Sequence, residues 1–188
     1  AFPMLHVLDK GKLSADEIEK LKAASPAGAI DLDMKEEQVE EKVDAIIVAT
    51  GWRPYDAAKL DNLGGGKIPN VITNVMMERL ASLTGPTGGK ITRPSDEKEQ
   101  ATVAFVQCAG SRDENPLPYC SALCCMGTLK QVRYVRENLP DAKITVFYID
   151  IRTIGRFEKF YYDLLDDPNV TFIKGKVAKI TEDPSTKN

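Results

Sequence analysis

Val103-Ala-Phe-Val-Gln107, then Cys120-Ser-Ala-Leu-Cys-Cys-Met-Gly-Thr-Leu-Lys-Gln-Val-Arg-Tyr-Val-Arg-Glu-Asn-Leu139, then Ile144-Thr-Val-Phe-Tyr-Ile-Asp150 read as strand, helix and strand. The outer pieces are short apolar runs rich in β-branched and aromatic residues. The middle piece carries apolar residues at helical spacing, at Leu129, Val132 and Val135. A second helix over Arg156 to Leu165 and strands over Val170 to Lys174 and Val177 to Thr181 continue the alternation. Strand–helix–strand connections of this length imply parallel strands. The fold class is therefore α/β, with a Rossmann-like parallel sheet.

The first turn of that unit departs from nucleotide-binding practice. Pyrophosphate recognition needs G-x-G-x-x-G so that backbone can approach the phosphates. Here the turn reads Cys108-Ala-Gly-Ser-Arg-Asp113, with one glycine and a cysteine first. All four cysteines of the 188-residue chain, Cys108, Cys120, Cys124 and Cys125, fall within eighteen residues at this point. Core packing is the ordinary fate of a free cysteine, but clustering with none elsewhere points to one device. A disulfide across adjacent Cys124 and Cys125 is strained. Structural zinc prefers paired C-x(2–4)-C hooks, often with histidine, whereas the only histidine, His6, is remote. Thiolates alone suit an iron–sulfur cluster at least as well as zinc. If the helix runs from Cys120, Cys120 and Cys124 share a face, and Cys125 lies about 100° round from Cys124. Some irregular backbone is then required for the thiols to meet.

Composition sets the remaining bounds. A net charge of −3 and pI near 5.3 argue against a nucleic-acid surface. No apolar run approaches the roughly 20 residues of a membrane span. A single histidine argues against Ser-His-Asp or Cys-His catalysis. Gly85-Pro-Thr-Gly-Gly-Lys90 falls short of a P-loop by one residue, with Ile91 where Ser or Thr belongs. Asp150 could mimic the ribose-binding acid but lies farther along than the usual roughly 20 residues, and reads rather as structural, pairing with Arg152 or capping.

Toward the amino terminus, Ser14 and Glu17 form a capping-box pattern before a helix over Asp16 to Ala24. A short strand is expected at Ala29 to Asp33 and a helix at Asn74 to Ser82, with Thr73 as N-cap. Val43-Asp-Ala-Ile-Ile-Val-Ala-Thr-Gly51 reads as a buried parallel strand, Ala45 to Ala49, delivering a tight turn to the carboxyl edge of a sheet. Three regions follow: 1–42, 43–101 closing at a polar linker, and 102–188. The abrupt start at Ala1-Phe-Pro reads as an internal piece of something larger.

Gln107 to Asp113, Tyr119-Cys-Ser-Ala-Leu-Cys-Cys-Met126, Lys130-Gln131 and Phe147-Tyr-Ile-Asp-Ile-Arg152 together resemble the A-type subunits of the heterodisulfide reductase family. Within that family the likeness is to the sulfate reducers' branch, the A-type subunits of quinone-interacting membrane-bound oxidoreductase complexes. Val43 to Tyr55 and Asn70 to Leu80 match in register. The resemblance implies a two-dinucleotide-domain flavoprotein of the thioredoxin-reductase type. It implies a 4Fe–4S cluster on Cys108, Cys120, Cys124 and Cys125, and FAD lined by Ala49, Thr50 and Gly51. It also implies a cytoplasmic electron-transfer protein, peripheral to the inner membrane through partner subunits and linking the quinone pool to adenylylsulfate reductase. The family's Gly-rich flavin fingerprint is missing, so the chain alone is expected to hold FAD poorly. Ala24 to Ile30 resembles the tail of an inserted ferredoxin module, with Ser25 where a cysteine would stand. A scaffold domain with a structural metal–cysteine site is the competing function class. A nicotinamide-dependent disulfide reductase is a weaker third, opposed by the missing glycines.

Overall fold

The computed structural model describes residues 8–25, 29–32 and 34–186. Two compact units divide the chain, 1–50 and 51–188.

The first unit holds one α-helix among its described residues, α1 (Ala15–Ala24). Its start follows from local chemistry. The Glu17 amide donates to Ser14 Oγ at 3.3 Å, and the Ser14 amide donates to Glu17 Oε2 at 2.9 Å. This reciprocal capping box satisfies two amides that no helix can satisfy internally, a contribution of about 1 kcal/mol. No strand forms at residues 29–32; residues 26–28, the middle of the ferredoxin-like stretch, and Asp33 lie outside the described residues.

The expected strand Ala45 to Ala49 does not form either. Residues 45–50 have no regular structure, and Ile46, Ile47 and Val48 face solvent, Ile47 at 92% exposure. A run apolar on both faces is stable as a strand only with neighbours on either side and cover above and below. Among the described residues no strand pairs with it. Gly51 does adopt the left-handed backbone of a tight turn, at φ 74°.

The second unit is a Rossmann-like α/β body. After α2 (Asn74–Ala81), it alternates β1 (Thr102–Val106), α3 (Cys124–Asn138), β2 (Lys143–Tyr148), α4 (Glu158–Leu165) and β3 (Val170–Lys174). The strands form one parallel sheet in the order β1-β2-β3, with Val103 opposite Ile144 and Ile144 opposite Val170. Leu129, Val132 and Val135 of α3 are fully enclosed in one cluster with Ile144 and Val146 of β2. Each such side chain contributes roughly 1.5–3 kcal/mol by leaving water. Helix α2 packs on α3, and α3 on α4. One buried polar group pins the first contact: Gln131 Nε2 donates to the Asn74 carbonyl and to Glu78 Oε1, both at 3.0 Å.

Thr73 caps α2 as expected, its Oγ1 accepting from the Met76 amide at 3.3 Å. The glycine-rich stretch at 85–90 follows this helix rather than a strand, which a P-loop would require. Residues 177–181 form no strand. They run beside the 3-10 turn Asp61–Leu63, where the Ile180 amide donates to the Asn62 carbonyl at 2.9 Å and Asn62 Nδ2 to the Ala178 carbonyl at 2.8 Å. Those bonds occupy backbone groups a fourth strand would need. Among the described residues, no helix is long and apolar enough to cross a membrane.

Candidate functional site

Open α/β sheets bind ligands beyond the carboxyl ends of their strands. At that edge β1 gives way after Val106 to Gln107 and Cys108, and the loop to α3 carries Cys120. Helix α3 begins at Cys124, four residues later than the expected start at Cys120. Cys120 therefore sits in the loop ahead of the helix rather than on its face. The physical reason is Ala122, whose φ of 58° breaks the helical path. The irregularity needed for the thiols to meet thus lies just before Cys124.

Non-glycine residues seldom take positive φ, and each costs of order 1 kcal/mol. Cys108 at 55° and Arg112 at 56° join Ala122 in doing so, all in this one loop. Gly110, at φ 84°, permits the loop to press on its neighbours: a Cβ there would meet Leu60 Cδ1 and Tyr55 Cε1 at 3.1 Å. The loop then folds back on itself, the Arg112 amide donating to the Tyr119 carbonyl at 3.2 Å and that of Asp113 to Leu117 at 3.1 Å. Lys176 reaches across to Asp113 at 2.5 Å.

All four cysteines are free thiols. Cys125 is buried at 7% exposure and directs Sγ at the Asp150 carbonyl, 3.8 Å away. Cys124 Sγ lies 2.9 Å from Ser121 Oγ, and Cys120 Sγ accepts from the Ala122 amide at 3.3 Å. Burial pushes the Cys108 thiol up. The charge and hydrogen bonding of Arg112 pull it back, while Cys120 and Cys124 add to the rise. Burial likewise raises Cys125, offset by the Arg152 amide and reinforced by Cys108, Cys124 and Cys120. The four sulfurs therefore occupy one electrostatic neighbourhood. They do not close on a point: among the described residues no three His, Cys, Asp or Glu side chains are set to hold a single metal ion.

Positive potential surrounds this neighbourhood. Helix α3 has no side-chain cap and no acidic residue in its first turn, leaving its amides and positive dipole end free for an anion. Arg112 Nη1 binds Asp150 Oδ1 at 2.7 Å, and Arg152 binds the same carboxylate through Nε at 3.2 Å. Those bonds, Arg152 first, hold the Asp150 carboxyl below its usual range. The expected pairing of Asp150 with Arg152 is present. The role of Arg112 is not legible in the sequence; its only signal is a cation four residues beyond Cys108.

A cavity of about 280 Å³ opens beside Cys108, lined by Lys59, Asn62, Gln107, Asp113 and Lys176 among others. Gln107 is buried, and its Nε2 has no hydrogen-bond partner. Ala49, Thr50 and Gly51 are exposed, and 49–50 belong to the first unit.

No family profile matches the chain. Individual proteins do. In Methanopyrus kandleri, the A-type iron-sulfur subunit of CoB–CoM heterodisulfide reductase that is numbered 2 is 44% identical over 164 residues, 86% of this chain and 25% of that protein. The A-type subunit numbered 1 in the same organism is 38% identical over 193 residues, covering 100% of this chain and 29% of its own. The A-type iron-sulfur subunit of Methanocaldococcus jannaschii is 42% identical over 169 residues, 89% of this chain and 26% of that protein. The chain thus spans between a quarter and a third of the length of these relatives.

Proposed function

For a chain homologous to part of the A-type subunits of the heterodisulfide reductases, we propose that Cys108, Cys120, Cys124 and Cys125 hold an iron–sulfur cluster of the 4Fe–4S type. In this reading the chain is part of an electron-transfer subunit. The observation that carries it is the gathering of every cysteine at the sheet edge where nucleotides otherwise bind. The donor set fits the group. It consists only of soft thiols, it is mutually coupled, and it faces unpaired amides and two guanidiniums suited to an anionic ligand. When bound, such a cluster supplies one-electron transfer. The chain's own residues supply ligands, exclude water by burying Cys125, and hold the loop through the Arg112–Tyr119 bond.

A flavin is the natural second carrier. We place FAD, in the full-length protein, against Ala49, Thr50 and Gly51, supported by the Ala-Thr-Gly sequence and the left-handed turn at Gly51. The finer reading follows the motif resemblance: a cytoplasmic protein, membrane-associated through its partners, passing electrons between the quinone pool and adenylylsulfate reductase. Co-purification with adenylylsulfate reductase, and reduction by a quinol analogue within the complex, test that assignment.

The central experiment is anaerobic reconstitution with ferrous iron and sulfide, then iron and sulfide analysis and EPR of the dithionite-reduced protein. Near-equal iron and sulfide with a reduced-cluster EPR signal support the reading. Zinc in place of iron after metal-replete expression, with no sulfide, would transfer it to the scaffold alternative.

A further inference from the structure

We infer that Arg112 and Arg152, clamped by Asp150, are positioning residues that set the reduction potential of the group held by the four cysteines. The inference rests on the iron–sulfur reading above and extends it to side chains outside the ligand set.

The geometry is specific. One carboxylate receives both guanidiniums, Arg112 Nη1 at 2.7 Å and Arg152 Nε at 3.2 Å on Oδ1, with Arg152 Nη2 at 3.4 Å on Oδ2. The three residues come from two sheet-edge loops, Arg112 after β1 and Asp150 and Arg152 after β2, so the clamp ties together the loops that follow β1 and β2. The Arg112 guanidinium offsets the rise that burial imposes on the Cys108 thiol, and the Arg152 amide offsets that of Cys125. Asp150 itself accepts from Cys125 Sγ through its carbonyl at 3.8 Å. Two cations against one carboxylate leave a net positive charge beside the sulfurs. Adding one electron to a thiolate-ligated cluster adds one negative charge and breaks no bond, so a fixed neighbouring cation favours the reduced form. Arginine suits the task because it stays charged, and the planar fork of Arg152 is held by two-point bonding, that of Arg112 by a single bond. Arg112 is three-quarters shielded from solvent, which limits screening.

The test is a mediated redox titration, followed by EPR, of the full chain reconstituted anaerobically. Arg112→Gln and Arg152→Gln should each load iron and sulfide as the parent does. Each midpoint should shift negative by a factor on the order of ten in the one-electron equilibrium, about 59 mV. Arg112→Lys, which keeps the charge, should recover most of the shift. Arg133→Gln removes an arginine that pairs with Asp163 nine residues along α3 from Cys124, about 13 Å by helical rise, and should leave the midpoint unchanged. Loaded Gln variants with the parental midpoint would overturn the inference and leave the iron–sulfur reading standing. So would an equal shift in Arg133→Gln, which would make the effect one of net charge. Failure of both Gln variants to load, with the parent loading normally, would overturn it in favour of an assembly role. Failure of the parent chain to take up iron and sulfide would instead remove the iron–sulfur reading, and this inference with it.

Discussion

Cys125 directs its thiol at the carbonyl oxygen of Asp150, 3.8 Å away, and so ties the first turn of α3 to the end of β2. The same Asp150 gathers Arg112 and Arg152 on its side chain. Backbone and carboxylate of one residue thereby couple a buried candidate ligand to the charges that face the other thiols.

Replacing single ligands should therefore have unequal structural effects and similar metal effects. Cys108→Ser, Cys120→Ser, Cys124→Ser and Cys125→Ser are each expected to lose at least half of the reconstituted iron and the visible absorbance of the cluster. Cys125→Ser should also lower the stability of the metal-free chain, because its site is the only one of the four that is buried. A serine variant that retains full iron would remove that residue from the ligand set.

Metal-free, reduced protein should lose stability as the pH rises past the free-thiol range. Burial raises Cys108 and Cys125 above an unperturbed cysteine, near 8.5. Between the unfolded and folded values the native state binds more protons than the unfolded state, so the slope of stability with pH is negative there. The contribution is fully present below about pH 8.5 and is lost as pH climbs through the folded values. Thermal melts with a reducing agent from neutral to alkaline pH should show a decline that Cys125→Ser partly flattens. Alkylation of Cys125 at neutral pH should correspondingly be slower than that of a free thiol, since the thiolate is the nucleophile.

Leu129→Ala should cost about 2–5 kcal/mol in urea unfolding, because Leu129 is fully enclosed between α3 and the sheet. This part of the molecule is the most legible in sequence. Leu129, Val132 and Val135 announce a helix by their spacing, and Val103, Ile144 and Val170 fall in strands that pair in parallel as expected. The start of α3 is misleading in sequence because Cys120 and Cys124 keep the helical interval. What breaks the helix is a left-handed backbone at Ala122, a residue type that gives no warning of it. The strand expected at 177–181 fails for a different reason: its backbone bonds to Asn62, a long-range choice invisible to local pattern. The thiol cluster is legible from count and spacing alone, whereas the arginines facing it depend on which loops share a sheet edge.

Ile47→Lys should leave the unfolding free energy of the chain nearly unchanged, within about 0.5 kcal/mol, and reduce binding of a hydrophobic dye. Ile47 is 92% exposed within an apolar run, so the substitution removes exposed apolar surface and buries no charge. A large destabilisation would show that Ile47 is covered in solution, restoring the strand that its sequence suggests.

The chain should not bind NAD(H) or NADP(H) appreciably. A dinucleotide needs glycine backbone at the first turn after β1 and a helix N-terminus directly behind it to receive the pyrophosphate. Here the turn opens with Cys108 at φ 55°, and Gly110 is committed to close packing against Tyr55 and Leu60. The helix does not begin until Cys124, with the folded-back loop between them. Just ahead of that helix the Ala122 amide donates to Cys120 Sγ at 3.3 Å. Isothermal titration of either nucleotide into the reduced, metal-free chain is expected to give no saturable heat at micromolar concentrations. A low-micromolar Kd would mean that the sheet edge keeps its nucleotide site beside the cysteines, and the nicotinamide-dependent reductase reading would then take precedence.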